Sequence, residues 1–558
     1  MPSCARSWKA TKRSRHSPPV TRGGRRETTG SVDLTEGKAP GQGRSATRVA
    51  TGILASRITG FLRDVIIAGT FGVGPITDAY AAALKIPNAF RNLLSEGALS
   101  ASFVPVFSSL MERGDTSAAR RLAQGVLGGL VMLSALVVAA VVAAAPWLLG
   151  ILAPGYDAEL SELTAHLVRI LFPMSGVMIV GAWCLGILTS HRRYFLPFVA
   201  PVVWNLSQIV GLLLGARLGW APLIVVLAWS TLVGSVLQVA VQLPAVYRLL
   251  GTIRPRFDLR FEPTRRVARN AMPVAAGQGI FQLSSLTDVF VASLLAEGAL
   301  TGIYFAQRIA MVPMALFGAS VAVAALPEMS RETGVEALRS HLSTGVRRVA
   351  YFILPSVAVL LLLGDLVTSL VYERGAFEAE HVPVVRWGLG AYALGLVATG
   401  LTKLFASAFH ALQDTRTPVR YAMAGVGTGI LIGAATALWM EDRGFGLRAA
   451  AGLVFGSSVG AWVNLVLLVR GLGRRGAGGW LPPVRRSLAR MAAGAGLASG
   501  VFLAIRALLG SRLPDGFFGN ATLLAAALIA GGLCYVGCAG LPTGLRTVGA
   551  SPPVGGRE

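Results

Sequence analysis

Residues 56–84 read SRITGFLRDVIIAGTFGVGPITDAYAAAL, an apolar background suited to a membrane helix, interrupted by charges that are not. Arg57, Arg63 and Asp64 fall inside that background, and Asp78 follows the break at Gly74 and Pro75. On a helix turning roughly 100° per residue, Arg57, Gly60 and Asp64 share a face, while Arg63 lies about 120° round from Arg57 and close to the line of Ser56. About 10 Å of rise separates Arg57 from Asp64, too far for the two to neutralise each other as neighbouring turns do. A charge at membrane depth costs about 2.5–3.5 kcal/mol on insertion scales, so such residues face a partner or a water-filled cavity.

The rest of the chain confirms that the background is membrane. Of its 558 residues 53% are hydrophobic and 14% charged, with a mean hydropathy of +0.61, too apolar for a soluble domain. Uncharged runs such as Leu122 to Tyr156 and Gly519 to Leu545 exceed the roughly 20 residues a spanning helix needs, and they do not alternate as barrel strands would. The expected fold is an all-α polytopic membrane protein with about fourteen transmembrane helices between residues 46 and 542. Lys and Arg favour the segments on the same face of the membrane as the N-terminus about sixfold over the loops on the opposite face, which predicts that both termini are cytoplasmic.

That distribution also accounts for the net charge of +24, since no basic domain interleaved with aromatics points to nucleic acid. Residues 1–45 read as a basic disordered cytoplasmic tail without an apolar signal-peptide core, and 546–558 as a short cytoplasmic tail. Cys4, Cys184, Cys534 and Cys538 have no metal-ligand spacing, the 6 histidines do not cluster, and neither a phosphate-binding loop nor a nucleophile–base constellation occurs. The expectation is a transporter without metal or cofactor, not an enzyme.

Sliding the chain on itself by 224 residues aligns RDVIIAGTFGVGPITDAYAAAL, from Arg63, with TDVFVASLLAEGALTGIYFAQR, from Thr287. Asp64/Asp288, Val65/Val289, Ala68/Ala292, Gly74/Gly298, Thr77/Thr301, Tyr80/Tyr304 and Ala82/Ala306 coincide. The offset spans an even number of helices, so the copies enter the membrane in the same direction, related by a pseudo-two-fold axis along its normal. Two six-helix lobes follow, 46–254 and 255–475, with a central cavity between them and two extra helices in 476–545.

Further charges fall on the second helix of each copy: Lys85, Arg91 and Glu96 near Pro87 and Asn88, and Arg308 before Pro313. Converging arginines suit an anion with phosphate oxygens, because the guanidinium donates as a planar fork and stays protonated. Arg63 has two readings, facing the cavity or pairing with Asp78, and Arg91 could equally pair with Glu96. Asp288 and Asp414 form a candidate cation site, although Asp414 lies in the turn-like QDTRTP and suits a helix cap.

SRITGFLRDVIIAGTFGVGPITDAYAAALKIPNAFRNLLSEGALSASFVPVFSSL, with YFAQRIAMVPMALFGASVAVAALPEMS and ALQDTRTPVRYAM, resembles the bacterial MurJ (MviN) lipid II flippases, relatives of multidrug and polysaccharide exporters. The resemblance covers about 46–545. It implies translocation of undecaprenyl-pyrophosphate-linked peptidoglycan precursor across the cytoplasmic membrane, with Arg57, Arg63, Arg91 and Arg308 engaging the diphosphate. Ser56, Gly60, Asp64, Asp78 and Glu96 would support them or the gate, and the last two helices would hold the lipid tail. Lipid II and membrane lipids are then the partners of a monomer, with coupling to membrane potential or Na+ as an option. Alternatives are a flippase for another polyprenyl-pyrophosphate-linked precursor or a cation-coupled drug exporter. Met311 stands where the family often has a glutamate, and His410 and Ile430 replace polar positions expected near the cation site.

Overall fold

The computed structural model describes residues 42–315, 335–514 and 516–540. The tail read over 1–45 lies almost wholly outside these residues, as do the 546–558 tail and the second half of the helix expected over 299–327. Among the described residues the chain is helical with no strand. α1 (Gln42–Phe71), α2 (Pro75–Leu94), α3 (Ser100–Glu112), α4 (Thr116–Leu152), α5 (Ala158–Ser190), α6 (Phe195–Arg217) and α7 (Leu223–Leu250) form the N-terminal half. The C-terminal half comprises α8 (Glu262–Ser293), α9 (Ala299–Pro313), α10 (Val335–Leu362), α11 (Gly364–Tyr372), α12 (Val382–Ala411), α13 (Arg416–Asp442) and α14 (Ala450–Leu472). α15 (Pro482–Leu509) and α16 (Phe517–Ala539) follow.

Eleven helical stretches among the described residues are long and apolar enough to cross a membrane. The sequence count of about fourteen also included α1, α8 and α9. α1 carries Arg57, Arg63 and Asp64; α8 carries Gln278, Gln282, Thr287 and Asp288; α9 is described only to Pro313. The helices that fall short on apolarity are thus the two that open the internal repeat.

Local chemistry sets the helix ends. Pro75, Pro263, Pro383 and Pro482 stand in the first turns of α2, α8, α12 and α15, where a missing amide proton costs nothing. Asp115 and Asp157 accept amide protons from Ala118 and Leu160, starting α4 and α5. The repeat-matched glycines Gly74 and Gly298 both immediately precede a helix, α2 and α9. Between α2 and α3 the helix widens into a π turn, Ser95–Leu99, where Gly97 takes φ 96°.

Without water-driven burial between helices, close backbone approach becomes the packing device. α13 and α14 meet through Gly425, Gly429 and Gly433 on one side and Gly456 and Gly460 on the other. A Cβ added at Gly456 would stand 2.2 Å from the Gly433 Cα. α1 packs along α6, α2 along α5, α15 along α16, and α15 also against α10. The halves touch through α2, α3, α4 and α8 and through α2 and α9. At the far end of α1 the Ala376 amide donates to the Gly69 carbonyl at 2.8 Å, bringing the loop after α11 onto the first helix.

Candidate functional site

α1 places Arg63 in the interior, 4% exposed. Its Nε and Nη2 donate to Asp64 Oδ1 at 3.1 and 2.7 Å, its Nη1 donates to Asn205 Oδ1 at 3.0 Å, and its guanidinium lies 4.9 Å from the Trp204 ring centre. Asn205 in turn donates to the Ser56 carbonyl and to Thr59 Oγ1, both at 3.2 Å. A Cβ at Gly60 would sit 3.4 Å from Asn205 Nδ2, so the glycine on the Arg57–Asp64 face seats the amide of α6. A guanidinium and a carboxylate buried together need all their bonds met, and the α6 amide supplies the one that Asp64 cannot.

Asp64 is shared across the halves. Its Oδ1 accepts from the Tyr304 hydroxyl at 3.0 Å and its Oδ2 lies 3.3 Å from Arg308 Nε. Arg308 also donates to the Tyr304 hydroxyl at 3.2 Å and stacks on that ring, 4.8 Å from its centre. With a side chain 41% exposed against 4% for Asp64, Arg308 is the accessible member of the group. Arg57 is exposed and has no ion-pair or hydrogen-bond partner among the described residues. Arg91 is half-buried and donates to Asn92 Oδ1 at 3.2 and 3.0 Å, while Asn92 reaches Gln282 of α8 at 3.4 Å. Glu96 falls in the π turn, but its side chain lies outside the described residues.

Asp78 answers the question left by Arg63. It is buried, and its oxygens accept from the Gly298 amide at 2.7 Å, the Thr301 amide at 2.7 Å and the Thr301 hydroxyl at 2.5 Å. Asp78 therefore caps α9 from the other half and is not the partner of Arg63. The reason is electrostatic: a helix N-terminus offers free amides and positive potential, which a carboxylate satisfies in one place. Asp64, next to Arg63 in sequence, takes the guanidinium.

The candidate cation site is not assembled as an open pair. Asp288 Oδ2 is 3.1 Å from Lys85 Nζ on α2. Asp414 accepts the Arg416 and Thr417 amides at 3.0 Å each and pairs with Arg475. The Thr417 hydroxyl and amide, with Arg475, hold the Asp414 carboxyl well below the usual carboxylate range. In this structure each aspartate is paired with a cationic side chain of its own. Among the described residues, no three His, Cys, Asp or Glu side chains gather as a metal group.

Asn205, Trp204 and Tyr304 were absent from the sequence-level site. Asn205 had a signal, an amide inside the apolar VVWNLSQ of α6, and Tyr304 had another, its repeat match with Tyr80. The two tyrosines differ in use: the Tyr80 hydroxyl meets Thr231 at 3.1 Å within its own half, whereas Tyr304 crosses to Asp64.

Arg63 of α1 and Arg308 of α9 thus share Asp64 at a polar seam between the halves, inside a bundle of membrane helices, while Arg57 makes no direct contact with that group among the described residues and Arg91 donates to Asn92. A solved multidrug-resistance MATE family transporter of the MOP superfamily, in an inward-facing conformation, matches with a TM-score of 0.61 at 18% identity, over 78% of this chain and 99% of that one. A solved lipid II flippase MurJ in an inward closed conformation matches with a TM-score of 0.73 at 20% identity, over 88% and 98%. The family described as Lipid II flippase MurJ matches residues 67–518. A probable lipid II flippase MurJ of Rhizobium tropici is 34% identical over 71% of this chain and 76% of its own length, and the lipid II flippase MurJ of Burkholderia cenocepacia is 31% identical over 70% and 76%. The chain belongs to the MurJ lipid II flippase family. It is a multi-pass inner-membrane transporter, not an enzyme.

Proposed function

We propose that this protein carries lipid II, the undecaprenyl-pyrophosphate-linked disaccharide peptide, from the cytoplasmic to the periplasmic leaflet of a bacterial inner membrane by alternating access, in the service of peptidoglycan synthesis. Both termini are cytoplasmic, the molecule acts as a monomer, and residues 46–254 and 255–475 are the rocking lobes. The observation that carries the mechanism is Asp64, held between Arg63 of its own half and Arg308 of the other.

Arg57, exposed and without an ion-pair partner among the described residues, meets the diphosphate first, and Arg91 and Arg308 close on it as forked donors. A diphosphate oxygen competes with Asp64 for Arg308, because both are anions that the same accessible guanidinium can pair with. Losing Arg308 from Asp64 loosens the contact between halves, so substrate binding itself favours the rearranged state. Once the halves have rocked, the diphosphate leaves outward, and Asp64 recovers Arg308 as they return. This competition keeps the arginines from holding the substrate too tightly. The polyprenyl tail stays in lipid along α15 and α16, whose exposed Leu503, Phe518, Ile529 and Leu533 present an apolar surface.

Relatives at 31–34% identity bear the name of lipid II flippases, which does not favour the other polyprenyl-pyrophosphate precursors or the drug-export reading. The test replaces Arg57, Arg63, Arg91 and Arg308 singly by Ala in flippase-depleted cells and measures growth rescue and leaflet accessibility of lipid II. Each loss of a charge-assisted contact is expected to slow flipping by roughly tenfold or more. Full rescue by all four would refute the cavity assignment. Purified protein in liposomes, with and without an imposed membrane potential or sodium gradient, tests the coupling.

A further inference from the structure

The arginine mechanism leaves unused an ion pair between α2 of one half and α8 of the other. Lys85 on α2 meets Asp288 on α8, Nζ to Oδ2 at 3.1 Å. The 224-residue offset carries Asp64 onto Asp288 and carries Arg308 onto Leu84, the neighbour of Lys85. The same bond is therefore built twice with the halves exchanged. In each, an aspartate on the first helix of one half takes a cation from the second helix of the other half. Lys85 and Arg308 stand about 15 Å of rise from the starts of α2 and α9, so the two bonds lie at similar depth. Beyond them, at the starts of these helices, Asp78 caps α9.

We propose that Lys85–Asp288 is a latch, twin to Arg308–Asp64, which must open for the halves to part on the side where α2 and α9 begin. Lys85 is a positioning residue in this scheme: it acts by holding Asp288. Side-chain exposures of 17% and 29% place the pair at the edge of the seam, where water can reach both ions as they separate. A doubled latch on opposite sides of a pseudo-two-fold axis resists tilting in either direction, which a single bond cannot do. The inference rests on the flippase reading.

The experiment uses the full chain in flippase-depleted cells, with membrane abundance followed by immunoblot. Lys85→Asp and Asp288→Lys are each expected to reduce lipid II translocation about tenfold, since a charge reversal sets like charges against each other at a contact between halves. The double reversal K85D/D288K is expected to recover to within about threefold of the parent, and Lys85→Arg to retain activity. In K85C/D288C, a reducible bifunctional thiol reagent should stop flipping and a reductant should restore it, while the same treatment leaves the parent, with Cys4, Cys184, Cys534 and Cys538, unchanged. The latch is overturned if both single reversals are active, if the double reversal at matched abundance is no better than the singles, or if the bridged protein still flips. Failure of the unmodified chain to move lipid II in the same assay would instead strike the flippase reading.

Discussion

Asn205 shows how one amide can decide the state of an arginine. Its carbonyl oxygen holds Arg63 while its amide protons go to Ser56 and Thr59 of α1, so all its nearby capacity is spent fixing one helix against another. Asn205→Leu keeps the volume and removes every bond. The expected loss is about 2–3 kcal/mol, the cost of an unmet hydrogen bond to a buried charge, read as a lower melting temperature of the detergent-purified protein. Asn205→Asp retains the acceptor toward Arg63 and should keep most of the activity that Asn205→Leu loses. The charges Arg57, Arg63, Asp64, Arg91 and Arg308 were legible from sequence because an ion in an apolar run is conspicuous. Their partners were not: Asn205 is 142 residues from Arg63 and Tyr304 is 240 from Asp64, and nothing local announces either pairing.

At the level of helices, the α13–α14 contact is built on absent side chains. Gly456→Leu puts a branched side chain where even a Cβ stands 2.2 Å from the Gly433 Cα, so the helices must separate. Destabilisation of at least about 3 kcal/mol is expected from thermal unfolding in detergent. Gly427→Ala on the same helix α13 meets nothing within 4 Å and should change stability by less than about 0.5 kcal/mol. Glycine spacing on both helices was visible in the sequence. Which pair of helices would use it was not, because small residues occur on many faces of a chain with 67 glycines.

Across the whole molecule, Asp78 ties the start of α9 to α2 and so helps hold the halves together at that end. Asp78→Ala removes the acceptor for two amides and a hydroxyl and should cost the contact between α2 and α9 about 1–2 kcal/mol. A cysteine placed at Val73 should then react about fivefold to thirtyfold faster with a membrane-impermeant thiol reagent added outside, the population shift that about 1–2 kcal/mol gives. An unchanged rate would show that the cap is local to α9.

The sequence alone determined the class of fold, most of the helix segments among the described residues, and which charges lie in apolar runs. Each is written in composition or spacing within a few turns of chain, and the bilayer enforces it by excluding unpaired backbone and charge. Only the tertiary structure decided that Asp64 serves two arginines, that Asp78 caps α9, and that Lys85 and Arg475 already occupy Asp288 and Asp414. Several carboxylates and cations of equal sequence plausibility compete inside one bundle. The choice among them is made by distance and by which buried donors would otherwise go unmet, and both exist only once the helices are packed.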